Sequence, residues 1–392
     1  MRVGIDVTCW CNRRGFGRFT RELVTALVSL PFGDEFVLFA DKQTAEIANF
    51  PKSCRIVIAN TTKAVAEAAS ADGRRSIRDI VAMRRMVQLE QLDLMFFPAV
   101  YSYFPIKLGV PCIVTFHDII AETHPKLVFR TWRSRLFWEM KCRLAAKRAD
   151  MVVTVSIASK KGLMRHFGLS EDRIAIISEA PASGFTDAAS NKHIQTEVLE
   201  RYGLEPDKRY ILYVGGISPH KNIETLIKAF AEVRKEASLE DVRLVLVGDY
   251  AGDVFNTCYA ELYKLVERYG LNCVVKFTGF VPDNDLVHIY KACQVFVLPS
   301  YIEGFGLTAV EAMACGAAII ASNGGSLPEI LDRAGELFDP YNLKALIGCL
   351  KRILLDSAYK RELKIRSTQR AMNFSWEISA RQMRKIFDTI KA

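Results

Sequence analysis

Short runs of consecutive apolar residues alternate along the chain with longer segments whose apolar positions recur every three or four residues. Runs at Val3-Gly4-Ile5, Phe36–Phe39, Cys112–Thr115, Met151–Val155 and Ile174–Ile177 predict one set of strands. Runs at Tyr210–Val214, Leu244–Val247, Val274–Phe277, Val295–Leu298 and Ala317–Ile320 predict a second. Uninterrupted apolarity marks strands buried on both faces, so each set predicts an open parallel sheet covered by helices, an α/β architecture of two Rossmann-like domains. Between the sets, Ser178 to Arg209 carries Pro181, Gly184 and Pro206 and reads as a connector containing a short helix, which puts a domain boundary near residue 190. Such sheets bind ligands beyond the carboxyl ends of their strands, and two of them facing each other would enclose one cleft.

Composition narrows the class. The 392 residues are 50% hydrophobic and 25% charged, with 53 Lys+Arg against 44 Asp+Glu and a net charge of +9, which is the composition of a globular protein and excludes disorder as the main state. No run of about 18 uncharged apolar residues is present, so neither a membrane span nor a secretory leader is expected, and the chain is expected in the cytoplasm. Ten cysteines are scattered without a C-x-x-C pair, as in reduced proteins. Cys9 and Cys11 lack the second ligand pair that a metal site needs, so no metal is expected.

Four strand-to-helix turns carry the candidate chemistry. Glu303-Gly304-Phe305-Gly306-Leu307 follows the strand at Val295–Leu298, with Glu311 a turn into the next helix; glycine-loop amides and two carboxylates suit the hydroxyls of a sugar or ribose. A helix capped by an acidic loop, with Glu311 on a solvated face, is the plainer reading. Gly215-Gly216-Ile217-Ser218-Pro219-His220-Lys221-Asn222 follows the first strand of the second set and brings a cation to a helix start, as an anion site would; a solvated Lys221 is its alternative. Arg14-Gly15-Phe16-Gly17-Arg18 is a glycine loop opening a helix with Phe19, Leu23, Ala26 and Leu27 at helical spacing, and Thr115-Phe116-His117-Asp118 ends a strand. A lone histidine is more often structural, but its place at a strand's carboxyl end favours a ligand role for His117, unlike His124, His166, His193 and His288.

Together these segments resemble the retaining glycosyltransferases of family 4, which have the GT-B fold. Glu303-x7-Glu311 is similar to that family's E-x7-E element, Gly215 to Asn222 to its donor-phosphate loop, Gly15 to Arg18 to its N-terminal glycine loop, and His117-Asp118 to its cleft histidine. Asp150 to Ser156, Gly279-Phe280-Val281-Pro282 and Phe374-Ser375-Trp376-Glu377 also look like family segments. The resemblance implies an acceptor domain at 1–190 with a crossover helix at 375–392, and a donor domain at 191–374. It implies that Lys221 meets the donor diphosphate, Glu311 the ribose, Glu303 and the amides of Gly304, Phe305, Gly306 and Leu307 the transferred sugar, and His117 a sugar hydroxyl. Phe280 and Val281 would lie beside the base, with Gly15, Gly17 and Gly216 in the donor loops. Many members carry Arg where this chain has Gly216, so the second diphosphate cation is left to His220, Arg18 or another residue of the first domain.

From Lys126 to Arg148 eight cations, among them Arg130, accompany the single acid Glu139, interleaved with Phe129, Trp132, Phe137 and Trp138. This pattern suits an anionic membrane surface. A packed amphipathic helix with core aromatics competes with it, and a nucleic-acid patch lacks a supporting motif. The resulting expectation is a retaining hexosyltransferase of polysaccharide biosynthesis, with mannose from GDP-mannose favoured. It would use a nucleotide-sugar without cofactor or metal, act on a glycan or lipid-linked acceptor, and sit at the cytoplasmic membrane face. A sugar-nucleotide epimerase or hydrolase of the same fold, and a silent nucleotide-sugar-binding subunit, are the alternatives.

Overall fold

The computed structural model describes residues 1–61, 76–107, 109–129, 131–186, 192–250 and 257–391. Among them, thirteen strands form two sheets, and every recorded pairing is parallel. In the first sheet β1 (Arg2–Asp6), β2 (Glu35–Asp41), β3 (Arg55–Ala59), β4 (Leu94–Phe97), β5 (Cys112–Thr115), β6 (Met151–Thr154) and β7 (Ile174–Ile176) lie in the order β3-β2-β1-β4-β5-β6-β7. The second holds β8 (Arg209–Val214), β9 (Val242–Val247), β10 (Val275–Gly279), β11 (Val295–Leu298), β12 (Ile319–Ser322) and β13 (Glu336–Phe338) in the order β10-β9-β8-β11-β12-β13.

The apolar runs explain the sheets. Leu244 to Leu246 and Val295 to Val297 are wholly buried, because helices cover both faces and leave no polar position to alternate. β12 starts two residues later than the apolar run suggests. Gly316 and Ala317 still close the preceding helix, donating to the carbonyls of Met313 and Ala312 at 2.9 and 3.0 Å. Three strands escaped the pattern. β3 is an edge strand with Ile56 and Ile58 exposed, β4 is built of Leu, Met and Phe, which suit a helix equally, and β13 has three residues.

The chain divides into two compact units, Met1–Glu179 with Ser375–Ala392, and Ala180–Phe374. The expected boundary near residue 190 lies outside the described residues. The stretch before it already belongs to the second unit, where Phe185 meets Tyr290 edge-on at 5.9 Å and its carbonyl accepts from Cys315 Sγ. In the first unit the helix Trp376–Lys391 lays its apolar face against the sheet and the helix Gly15–Ser29. Phe387 sits 6.1 Å from Phe96, and Trp376 lies edge-on to Phe19 at 5.9 Å. Among the described residues no helix is long and apolar enough to cross a membrane.

In both sheets the strand order reverses beside the first strand, between β1 and β4 and between β8 and β11. At such a point the outgoing loops diverge to opposite faces and open a crevice at the carboxyl ends of the strands.

Candidate active site

In the second unit the candidate side chains converge at that crevice. Lys221 ends a single 3-10 turn, Pro219–Lys221, after β8, and Glu303 lies in the loop after β11. The Lys221 ammonium donates to both carboxylate oxygens of Glu303, at 2.7 and 2.9 Å, and Ser300 Oγ adds a bond to Oε1 at 2.6 Å. Lys221 is therefore held in an ion pair rather than solvated.

The main chain around this pair is pinned from several sides. Asn222, buried and left-handed at φ 54°, donates through Nδ2 to the carbonyls of Pro299 and Pro340 at 3.0 Å each, tying the loops after β8, β11 and β13 together. The Tyr301 amide donates to the His220 carbonyl at 2.9 Å. Ser326 donates through its amide to the Glu303 carbonyl and through Oγ to the Glu303 and Phe305 carbonyls. Gly325, at φ 66°, lies directly beneath the Glu303 backbone, where a Cβ would overlap the carbonyl.

Gly306 occupies the left-handed region at φ 94° and starts the helix Leu307–Ala314, whose first amides thus open toward the Glu303 loop. Glu311 is not on a solvated face. It is buried and accepts a bond from Tyr290 Oη at 3.3 Å. Phe305 is buried with its ring edge-on to Phe374 at 5.7 Å, and the Val281 side chain is buried, so neither side chain offers a ligand surface; their main chains can. Phe280 is 43% exposed. The Gly216 carbonyl accepts from Tyr213 Oη at 2.8 Å and the Gly215 amide donates to the Val247 carbonyl at 3.0 Å, which together hold the shape of that turn.

The first unit organises its own site differently. Gly15 and Gly17 belong to the first turn of the helix Gly15–Ser29 rather than to a free loop, and a Cβ on Gly17 would overlap the Asn12 carbonyl. Arg21 holds the preceding turn, donating to the carbonyls of Trp10 and Asn12 at 2.6 and 3.1 Å. His117 is buried, with Nδ1 3.3 Å from Glu179 Oε1, Nε2 2.9 Å from the Pro98 carbonyl and Phe19 edge-on at 4.8 Å.

The basic helix Trp132–Arg148 has two apolar faces. Trp138, Cys142, Ala145 and Ala146 pack inward, and Trp138 Nε1 donates to Glu122 at 2.7 Å. Trp132, Leu136, Phe137, Met140 and Leu144 are exposed, four of them spaced at four-residue intervals. The aromatics thus divide between the two readings, Trp138 lying in the core and Trp132 and Phe137 in solvent. Arg130 lies outside the described residues. Burial pushes the Glu122 carboxyl up to about 7, with the Trp138 bond opposing and Asp118 adding to the shift.

Ser300, Ser326 and Glu179 carry positions that the motif reading missed. Ser300 lies three residues before Glu303 and was within reach of a local argument, whereas Ser326 and Glu179 meet their partners only across 23 and 62 residues. Among the described residues no three His, Cys, Asp or Glu side chains gather at metal-ligating distance.

Comparison with known proteins agrees with this geometry. Residues 195–371 match the family described as Glycosyl transferases group 1, and residues 13–180 match Glycosyltransferase Family 4. The chain is 33% identical over 282 residues to the O-antigen chain mannosyltransferase B of Escherichia coli, covering 70% of this chain and 69% of that protein. Sucrose-phosphate synthase from Thermosynechococcus elongatus superposes with a TM-score of 0.77 at 21% identity, over 100% of this chain and 99% of the other. Anabaena HepE in complex with UDP-glucose superposes at 0.72 with 18% identity, over 99% and 100%. Each half of the chain thus carries a family match, the two parallel-sheet units are those of the GT-B fold, and the chain belongs to glycosyltransferase family 4.

Proposed function

We propose that this enzyme transfers mannose from a nucleotide-sugar, GDP-mannose being the favoured donor, to a glycan or lipid-linked acceptor with retention of anomeric configuration and without a metal. The observation that carries the reading is the meeting of Lys221 and Glu303 at the β8/β11 crevice. The choice of mannose is supported by the 33% identity to a mannosyltransferase, and the donor class by the UDP-glucose bound to the structurally similar HepE.

In this mechanism the bond between the anomeric carbon and the diphosphate oxygen breaks while the acceptor hydroxyl oxygen bonds to the same face of that carbon. The acceptor proton passes to the leaving phosphate. Negative charge grows on the diphosphate, where the Lys221 ammonium and the open amides at the start of Leu307–Ala314 stabilise it best in the transition state. Glu303 orients the sugar by accepting from its hydroxyls, and Glu311 takes the ribose. Donor binding exchanges the Lys221–Glu303 bonds for bonds to phosphate and sugar. His117 meets a sugar hydroxyl on this reading, which requires one of its ring nitrogens to exchange a present partner.

The acceptor side rests on the exposed face of Trp132–Arg148. Trp132, Phe137 and Met140 stand beside Arg133 and Arg143, a composition that binds anionic lipid headgroups. The test is incubation with GDP-mannose and, in parallel, other nucleotide-sugars, together with a polyprenyl-linked glycan, followed by NMR of the anomeric proton of the product. An α-linked mannoside that disappears in Glu303→Ala, with a rate loss of about a hundredfold or more, is expected. Release of free or epimerised sugar without an acceptor would establish the hydrolase or epimerase instead.

A further inference from the structure

Beside the Lys221 loop the second sheet carries an aromatic stack that no motif announced. Tyr250, three residues past β9, lies face to face on Tyr259 with ring centroids 4.1 Å apart and planes 7° apart. Tyr259 is itself braced edge-on by Phe277 at 5.1 Å. Both tyrosines keep part of their surface in solvent.

Three neighbouring strand ends are locked together here. The Gly215 amide donates to the Val247 carbonyl at 3.0 Å, and the Gly248 amide to the Gly279 carbonyl at 3.1 Å. Gly248 is pressed so close to the Gly215 carbonyl that a Cβ would overlap it, and the Tyr250 ring edge lies 3.9 Å from where a Cβ on Gly279 would be. The Cys258 amide donates to the Ile217 carbonyl at 3.0 Å, which fastens the Tyr259 helix to the segment leading to Lys221. Tyr250 therefore stands at the carboxyl end of β9, between the Gly215-Gly216 turn after β8 and the exposed ring of Phe280 after β10. Adjacent strands are about 4.8 Å apart, so Tyr250 stands one strand away from the β8 turn that leads to Lys221, on the side of β8 opposite β11.

We propose that Tyr250, held in place by Tyr259, is the stacking residue for the donor's nucleobase. This rests on the nucleotide-sugar reading above and adds to it a side chain that binds the base and not the phosphates. An aromatic face is indifferent to base identity, so Tyr250 supplies affinity for purine and pyrimidine nucleotides alike.

Calorimetric titration of the full chain with GDP, UDP and inorganic pyrophosphate tests it. Tyr250→Ala should weaken both nucleotides by about tenfold, in line with the loss of one base–aromatic stack, and leave pyrophosphate within about twofold. Tyr250→Phe should bind all three as the parent does. Because Tyr250 also packs on Tyr259, Tyr250→Leu is the second variant, retaining apolar volume without the π face; it should behave as the alanine variant. Lys221→Ala should weaken pyrophosphate as well. If the parent binds nucleotides and Tyr250→Ala and Tyr250→Leu bind them equally well, or lose pyrophosphate to the same extent, the stacking role is overturned alone. A parent that binds neither nucleotide overturns the donor reading together with it.

Discussion

Removing the Lys221 ammonium should cost the fold as well as the reaction, in an amount that depends on Glu303. The Glu303 side chain is 9% exposed and the Lys221 side chain 19%, so Lys221→Met leaves a nearly dry carboxylate whose remaining described side-chain bond comes from Ser300. Stripping one partner from a fully buried pair costs about 3–5 kcal/mol. Water reaches the Lys221 side and can replace part of the lost bond, which brings the expected cost to about 2 kcal/mol. At about 2–4 °C per kcal/mol for a domain of this size, the melting midpoint of the second unit should fall by about 4–8 °C. Glu303→Gln should cost less, about 1 kcal/mol, because the flexible lysine can turn its charge toward solvent. The double variant Lys221→Met/Glu303→Gln contains no stranded charge, so its cost should fall short of the sum by about 1 kcal/mol or more. Urea unfolding followed by a probe in the second unit, with turnover measured in parallel, supplies the cycle. Turnover should be lost in all three. Single costs that add to within about 0.5 kcal/mol would refute the pairing as an energetic unit and reduce it to two charges that happen to be close.

Two further outcomes are expected. Glu122 holds its proton to about pH 7 in the folded chain against an unfolded value near 4.5, so the folded state binds the extra proton between these pH values. The stability it contributes is complete below pH 4.5 and declines as pH rises through 7, by about 3 kcal/mol in all. Glu122→Gln should remove that slope, and denaturant midpoints of parent and variant compared from pH 5 to 8 should diverge steadily; a gap independent of pH would count against the shift. On the exposed helix face, replacing Trp132, Phe137 and Met140 by Ser should lower co-sedimentation with phosphatidylglycerol vesicles while leaving stability within about 0.5 kcal/mol, because these side chains are already in solvent. Replacing Arg133 and Arg143 by Gln should make the residual binding less sensitive to salt, since each cation near an anionic surface contributes about 1 kcal/mol that ions screen. Vesicle binding that survives both sets of changes would exclude this face as the contact.

The sequence by itself determined the strands whose burial is complete on both faces. Val295–Leu298 or Tyr210–Val214 has no solvated position to interrupt its apolar run, and so its period, length and sheet type can be read directly. It also determined the glycine-bearing turns and the charged residues beside them, because a turn of that geometry requires Gly306 at its left-handed position whatever surrounds it. Partners distant in the chain were decided by tertiary structure alone. Nothing near residue 221 indicates that its ammonium meets a carboxylate 82 residues later, and nothing near Glu179 indicates His117. Those contacts exist because the order β8-β11 places two loops side by side at a crevice, and the order of strands is set by packing many helices at once. The same holds for the two faces of Trp132–Arg148. Apolar residues occur all around that helix, and only docking of Trp138 and Cys142 against the first sheet decided which are core and which remain in water. The Tyr250–Tyr259 stack belongs here too, since a ring gains its partner from the neighbouring turn of chain, and no local pattern records that neighbour.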